Sequence, residues 1–92
     1  MNATVTKSGE RYVTAFQVQN DFNLHIETSK PTTAQVRMQT SGSIPVKVGE
    51  KFNVDFAEER NYKGGIYPTT IFVEIDDCKL PSTPVVIVTE AQ

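Results

Sequence analysis

The sequence predicts an all-β domain, built as two antiparallel sheets that pack into a sandwich. Apolar and polar residues alternate with a period of two in short runs, which is typical of strands that are buried on one face. Turn-forming residues separate these runs at intervals of about ten residues, as in small sandwiches. Ninety-two residues suffice for one domain and no more. We therefore expect about seven or eight short strands, arranged in an immunoglobulin-like or jelly-roll-like way.

The alternation places each strand in turn along the chain. In the first strand, Tyr12, Thr14, Phe16 and Val18 occupy one face. The clearest run follows in residues 22–27, where Phe, Leu and Ile share one face and Asn, His and Glu share the other. Five further runs complete the prediction: 34–39, 44–48, 52–56, 70–75 and 85–89. The last of these is apolar on both faces, so we expect a central or interface strand.

The segments between the runs contain residues that favour turns and bends. Gln19-Asn20-Asp21 favours a tight turn, and Ser29-Lys30-Pro31 favours an extended bend. Ser41-Gly42-Ser43 and Val48-Gly49-Glu50-Lys51 are typical of hairpin turns, so the strands on either side are expected to pair. Pro45 lacks the N–H that a ladder needs, which predicts an edge strand or a bulge there.

The remaining segments are less regular. Residues 1–11 are polar, and we expect them to form an arm outside the sheets, with residues 12–92 as the domain. Residues 57–60 suit one helical turn. They lead into 61–65, which contains Gly64-Gly65 and is the expected mobile loop. Residues 76–84, with two prolines, are expected to be ordered without repeating structure.

Composition and charge disfavour several classes of function. The net charge is −2 and the basic residues are dispersed, whereas nucleic-acid binding needs a concentrated basic face. No apolar run is long enough to span a bilayer, so no membrane partner is expected. Met1-Asn2-Ala3-Thr4 has neither the basic nor the apolar region of a signal peptide. Cys78 is the only cysteine, which suits synthesis in a reducing cytosol.

Catalytic and metal-binding patterns are also lacking in the sequence. His25 is the only histidine and its phase in the strand directs it to solvent; with Cys78 it gives two candidate zinc ligands where three or four are needed. Glu74, Asp76 and Asp77 lack the spacing of a calcium loop. Glu58 and Glu59 are adjacent and diverge, unlike a glycosidase pair. We therefore expect no enzyme activity, no cofactor and no metal.

Binding to a partner is the class of function that this leaves. Tyr62 and Tyr67 bracket the double glycine, with Lys63 between them, and aromatic loop residues on a β scaffold make contacts at low cost in entropy. A structural role for both tyrosines remains an alternative. Apolar residues of the final strand are further candidates for partner contacts: Val85, Val86 and Val88. A polar sheet face is also expected to meet a partner or water: Asn23, His25, Glu27, Gln35, Arg37 and Gln39.

Two stretches of the chain resemble a pattern in small virion proteins of tailed phages. In residues 16–26 a turn opens an apolar strand, similar to the pattern "V-x-G-x-F", and residues 34–43 resemble a second strand that ends in a polar "Q-R-S-x-D-G" corner. Tyr67-Pro68-Thr69-Thr70-Ile71 is compatible with a further strand. The chain departs from the pattern where Asn20 replaces the turn glycine and where Thr40-Ser41-Gly42 replaces the arginine-serine corner.

The resemblance implies a β-sandwich head or tail component, such as a decoration protein present in many copies on the capsid. The implied partners are the major capsid protein or other virion proteins, and the implied location is the virion. For a domain this small we also expect a homo-oligomer or a multi-copy assembly. On this hypothesis the N-terminal arm, edge strands and the segment 85–88 provide attachment. Two alternatives stay open: an immunoglobulin-like module that binds a glycan or a protein through the loop 62–67, and a small phage-encoded inhibitor of a host protein.

Overall fold

The structure, a computed structural model, describes residues 1–38, 42–49, 51–54, 68–76 and 79–90. These residues form strands and turns, with no helix among them. Nine strands are present in the described ranges: β1 (Asn2–Ala3), β2 (Thr6–Ser8), β3 (Arg11–Val18), β4 (Phe22–Glu27), β5 (Thr33–Met38), β6 (Ile44–Lys47), β7 (Lys51–Val54), β8 (Thr69–Asp76) and β9 (Val85–Glu90).

The strands form two sheets that pack face to face. The four-stranded sheet has the order β1-β9-β4-β7, and the five-stranded sheet has the order β2-β3-β8-β5-β6. Every described strand pair is antiparallel. The predicted two-sheet antiparallel sandwich is therefore confirmed.

The core lies between the sheets and is built by the alternation seen in the sequence. In β4, Phe22, Leu24 and Ile26 are buried, while the residues between them face outward. In β8, Ile71, Val73 and Ile75 are buried in the same way. Burial of such side chains is the main source of stability in a domain of this size. The other buried apolar residues are Tyr12, Phe16, Val18, Ala34, Val36, Met38, Val46, Val54, Leu80, Val86 and Val88.

An aromatic pair joins the two sheets at one end of the core. Phe16 lies on β3 of the five-stranded sheet and Phe22 lies on β4 of the four-stranded sheet. Their ring centroids are 5.8 Å apart and the ring planes are perpendicular. This edge-to-face geometry is favoured by the quadrupoles of the two rings, and it adds to the hydrophobic gain of burying them. Both residues were expected in the core from their phase.

The first eight residues belong to the sheets, in contrast to the expected arm. Asn2 and Ala3 pair with Ile87 and Val86 of β9, while residues 6–8 pair with residues 11–13 of β3. The segment thus crosses from the four-stranded sheet to the five-stranded one. It was missed because its strands are short and lie at the edges, and a two-residue strand or a wholly exposed one shows no alternation.

Short connections between strands lead mainly to the opposite sheet. The predicted pairing across 41–43 is confirmed, since β5 and β6 are neighbours. The predicted hairpin at Val48-Gly49 is wrong: β6 and β7 lie in different sheets. Gly49 has a φ of 92° and its N–H donates to the carbonyl oxygen of Ile26 at 2.9 Å, which ties this crossing to the end of β4. Turn chemistry alone does not reveal which sheet the next strand joins.

Two predictions about strand position are confirmed. β9 is an inner strand of its sheet, flanked by β1 and β4. β6, which contains Pro45, is an edge strand of the five-stranded sheet. The predicted helical turn at 57–60 and the predicted loop at 61–65 lie outside the described residues, as do Asp55 and Phe56 at the end of the expected run 52–56.

Candidate interaction surfaces

The partner-binding residues predicted from the sequence fall into three groups in the structure. Tyr62, Lys63 and Tyr67 lie outside the described residues. Val86 and Val88 point into the core, 0% and 4% exposed, so their side chains do not reach a partner. Val85 is 40% exposed and lies on the outer face of the four-stranded sheet.

The final strand does not offer a free edge along the segment that was expected to attach by edge pairing. Val86 and Ile87 pair with β1 on one side and with β4 on the other. At Val88, the N–H donates to the carbonyl oxygen of Met1 and the carbonyl oxygen accepts from the Met1 amino group, both at 2.8 Å. Contact by strand addition along 86–88 is therefore ruled out in this fold.

The polar face expected from the sequence is divided between two opposite surfaces. Asn23, His25 and Glu27 lie on the outer face of the four-stranded sheet, whereas Gln35 and Arg37 lie on the outer face of the five-stranded sheet. The reason is that β4 and β5, although consecutive in the chain, belong to different sheets. Gln39 lies outside the described residues. The molecule thus presents two outer faces, and each has its own chemistry.

The outer face of the four-stranded sheet is lined by polar side chains that bond to one another. Asn53 donates from Nδ2 to Oδ1 of Asn23 at 3.1 Å, across the paired strands β4 and β7. His25 Nε2 lies 3.2 Å from Oε1 of Glu27. A shallow depression of about 370 Å³ lies over Ile87, which is the apolar residue between these polar ones. Four polar side chains of this face are thus engaged with one another in pairs.

The outer face of the five-stranded sheet has an aromatic residue at its centre. Phe72 lies on β8, the middle strand, and its side chain is half-buried. Directly across from it are Ala15 on β3 and Arg37 on β5. Val13, also half-buried, lies two residues away on β3. We call these four residues, Val13, Ala15, Arg37 and Phe72, the Phe72 patch.

Arg37 is stacked on the aromatic ring of the patch. Its Cζ atom lies 4.3 Å from the centroid of the Phe72 ring. A guanidinium at this distance is attracted by the negative face of the ring, and its long side chain loses conformational freedom in the process. Ala15, on the other side of Phe72, is too small to cover the ring. The Phe72 side chain is half-buried, so part of it remains accessible to solvent.

Charged side chains form a rim at one end of the patch. Arg11 Nη1 lies 3.0 Å from Oε2 of Glu74, and Arg11 Nε lies 3.3 Å from Oδ1 of Asp76. All three side chains are exposed, so this arrangement contributes little to stability. It does hold both carboxylates at Arg11. In the part of the chain that the structure describes, no carboxylate lies within ion-pair distance of Arg37.

The described residues contain no cluster of three or more His, Cys, Asp or Glu side chains arranged to hold a metal ion.

A groove of about 730 Å³ opens at the side of the sandwich, where Met1, Val18 and Val88 meet. The described residues include no helix long and apolar enough to cross a membrane.

Sequence reasoning missed the Phe72 patch, although one signal for it was present. Ile71, Val73 and Ile75 were expected to face inward, which places Phe72 on the outer face by the same alternation. A large aromatic residue out of phase with the core is informative, because most outward positions of a strand are polar. What the sequence does not contain is the pairing of β8 with β5, which brings Arg37 onto the ring.

Comparison with known proteins identifies no relative of this chain. No family model matches it, and searches of curated proteins and of solved structures find no significant match either. The function is therefore inferred from the residues of the chain itself.

Proposed function

We propose that this chain is a non-enzymatic structural protein that binds other proteins, and that it acts as an auxiliary or decoration protein of a tailed-phage particle. The observation on which the proposal rests is the Phe72 patch. It is an aromatic residue with an arginine over its ring, at the centre of the outer face of the five-stranded sheet. The resemblance of residues 16–26 and 34–43 to phage virion proteins supplies the phage context.

The patch has the composition that protein interfaces favour. Aromatic residues and arginine are enriched at interface centres and account for a large share of binding energy when they are truncated. Here Phe72, Val13 and Ala15 form an apolar centre, and the ion pairs of Arg11 form a polar rim beside it. The centre lies on the middle strands of a five-stranded sheet, so its shape is preformed.

A multi-copy role fits a small domain with a thin stability margin. A chain of this length buries a smaller fraction of its surface than a larger one does. Docking onto a shell would bury the patch and stabilise the folded state by mass action. On this proposal, the partners are the major capsid protein or other virion proteins.

Quantitative mass spectrometry of purified virions tests this function. We expect the protein at a copy number comparable with that of the major capsid protein. A few copies per particle would contradict the decoration role and favour a portal, tail or fibre position. Absence from virions that contain all the other structural proteins would contradict the phage-particle role altogether.

A paired set of variants tests whether the patch is the contact surface. Phe72→Ser should lower the occupancy of the particle, since it removes the apolar centre. His25→Gln, on the outer face of the opposite sheet, is the matched control and should leave occupancy unchanged. Thermal melting of both purified variants separates loss of contact from loss of fold.

A further inference from the structure

We propose that the Phe72 patch recognises a carboxylate on its protein partner, with Arg37 as the residue that binds it and Phe72 as the platform that orients Arg37. This inference deepens the proposed function, since it names the chemistry that the partner presents: an aspartate or glutamate beside an apolar side chain.

The charge of Arg37 is available to a partner. Arg11 holds Glu74 and Asp76 at 3.0 Å and 3.3 Å, so the carboxylates of this face are already engaged. Arg37 has the Phe72 ring as its neighbour and, among the described residues, no anionic partner. A cation at the centre of a binding face creates a demand for a negative group on whatever covers it, because burying it unpaired is costly.

The planar shape of the Arg37 guanidinium suits a carboxylate. A guanidinium is planar and has five N–H donors in that plane, in a fork that matches the two oxygens of a carboxylate. The Cζ atom of Arg37 lies over the Phe72 ring, 4.3 Å from its centroid, and no hydrogen bond joins the guanidinium to another described residue. The ring thus holds the fork in position without consuming its donors. A lysine at this position would offer a point charge and no fork.

An apolar surface lies beside the guanidinium fork of Arg37. Ala15, directly opposite Phe72, is exposed, and the half-buried Val13 extends this apolar strip along β3. A side chain that enters over Ala15 would contact the ring and the strip, while its neighbouring carboxylate meets Arg37. This is why the partner motif combines an acidic and an apolar residue.

Two other occupants are less well matched to the face. A second copy of this chain that presented the same face would offer Glu74 and Asp76, but both would have to leave Arg11 first. A nucleic acid would find a ring on which to stack, but two carboxylates beside it would repel the phosphates, and the chain as a whole has a net charge of −2.

A display library of random dodecapeptides, selected on the intact chain and counter-selected on Arg37→Gln, tests the inference. We expect the enriched peptides to share an Asp or Glu within a few residues of a large apolar side chain. One enriched peptide is then synthesised in two forms, with its acid and with the matching amide. In fluorescence anisotropy, Arg37→Gln should weaken binding of the acidic peptide about tenfold or more.

A double-mutant cycle assigns the loss to the pair. If Arg37 binds the carboxylate, the amide peptide should bind Arg37→Gln and the unchanged protein within about twofold of each other. Arg37→Lys should recover only part of the affinity, because it keeps the charge and loses the fork. Phe72→Leu should weaken the acidic peptide more than the amide peptide, since it removes the platform for Arg37 and keeps an apolar residue. His25→Gln is the control on the opposite face.

Several outcomes would overturn the inference. An Arg37–carboxylate contact would be excluded if the enriched peptides contained no acidic residues, or if the acidic peptide bound Arg37→Gln as tightly as the unchanged protein. It would also be excluded if the loss caused by Arg37→Gln and the loss caused by the amide peptide were independent and simply multiplied. Self-association in sedimentation that disappears in Arg37→Gln would identify a second copy as the occupant. Binding of a labelled twenty-nucleotide single strand that depends on Arg37 would identify a nucleic acid.

The outcome for this inference is separable from that for the proposed function. A protein that is abundant in virions but shows no acid-dependent binding retains the phage role and loses the carboxylate contact. A protein that is absent from virions but binds acidic peptides through Arg37 retains the contact and loses the phage role.

Discussion

The hydroxyl of Thr14 donates a hydrogen bond to the carbonyl oxygen of Thr4. Thr14 is one of the few buried polar residues among those described, and it faces inward from β3. Thr4 lies between β1 and β2, where the chain passes from one sheet to the other. This hydrogen bond therefore anchors the crossing point to the five-stranded sheet, and it explains why a threonine occupies a position that the alternation assigns to the core.

Replacing Thr14 with valine should destabilise the domain, although the two side chains have nearly the same shape. The change removes the donor and leaves the Thr4 carbonyl without it, at a cost of about 1–2 kcal/mol in the free energy of unfolding. Urea denaturation measures this. Thr6→Val, on exposed β2, is the control and should stay within about 0.5 kcal/mol of the unchanged protein. Equal midpoints for the two variants would show that the Thr14 hydrogen bond is not needed.

Deleting residues 1–8 should destabilise the fold, and not merely weaken attachment to a partner. The deletion removes the Met1–Val88 backbone pair and the packing of Ala3 and Val5 on the core. We expect a loss of more than about 2 kcal/mol, from hydrogen bonds and apolar contacts together. Light scattering should also rise, since the outer edges of β9 and β3 become open to other chains. An unchanged urea midpoint would restore the view that this segment is a dispensable arm.

Two glycines allow backbone strain to be tested without a change in packing. Gly49 has a φ of 92° and a Cβ added there would meet nothing within 4 Å, so the cost of Gly49→Ala is conformational. We expect about 1–2 kcal/mol of destabilisation. Gly42 is equally open but has no such φ, so Gly42→Ala should be neutral or stabilise by up to about 1 kcal/mol. Thermal melts of both variants check the contrast, and a neutral Gly49→Ala would contradict it.

Two neighbouring valines in β9 separate core packing from surface contact. Val86 is fully buried and Val85 is 40% exposed. Val86→Ala should lower the free energy of unfolding by about 2 kcal/mol, because it removes two methyl groups and leaves a cavity. Val85→Ala should cost less than about 0.5 kcal/mol. Denaturant titration of both proteins measures the difference, and a larger loss for Val85→Ala than for Val86→Ala would mean that β9 has the opposite phase.

The sequence predicted those parts of the fold that depend on alternation within one strand. The phase of Phe22, Leu24 and Ile26 was sufficient to place β4, because one side of that strand faces the core along its whole length. The short strands at residues 2–3 and 6–8 could not be found in this way, since pairing rather than burial of one face determines them. Apart from the pairing of β5 with β6, which the turn residues predicted, the pairing partners of the strands were beyond reach as well.

The Phe72 patch could not be predicted from the sequence either, because it also depends on which strands pair. Arg37 and Phe72 are 35 positions apart in the chain, and neither run shows that the two side chains meet. Only the pairing of β5 with β8 brings them together. The tyrosines that the sequence favoured remain a prediction, because they lie outside the described residues. An apolar strand suits both a core and an interface, and the structure places the side chains of Val86 and Val88 in the core.

The place of β9 between β1 and β4 has a consequence for how the protein is made. Met1 and Val88, which bond to each other, are 87 positions apart, and β4 has only β7 beside it in the four-stranded sheet until β9 arrives. During synthesis, the residues that precede β9 therefore leave the ribosome before this sheet can close. Apolar side chains of β4 stay open to water and to chaperones for that interval. Contacts so distant in sequence also favour slow folding.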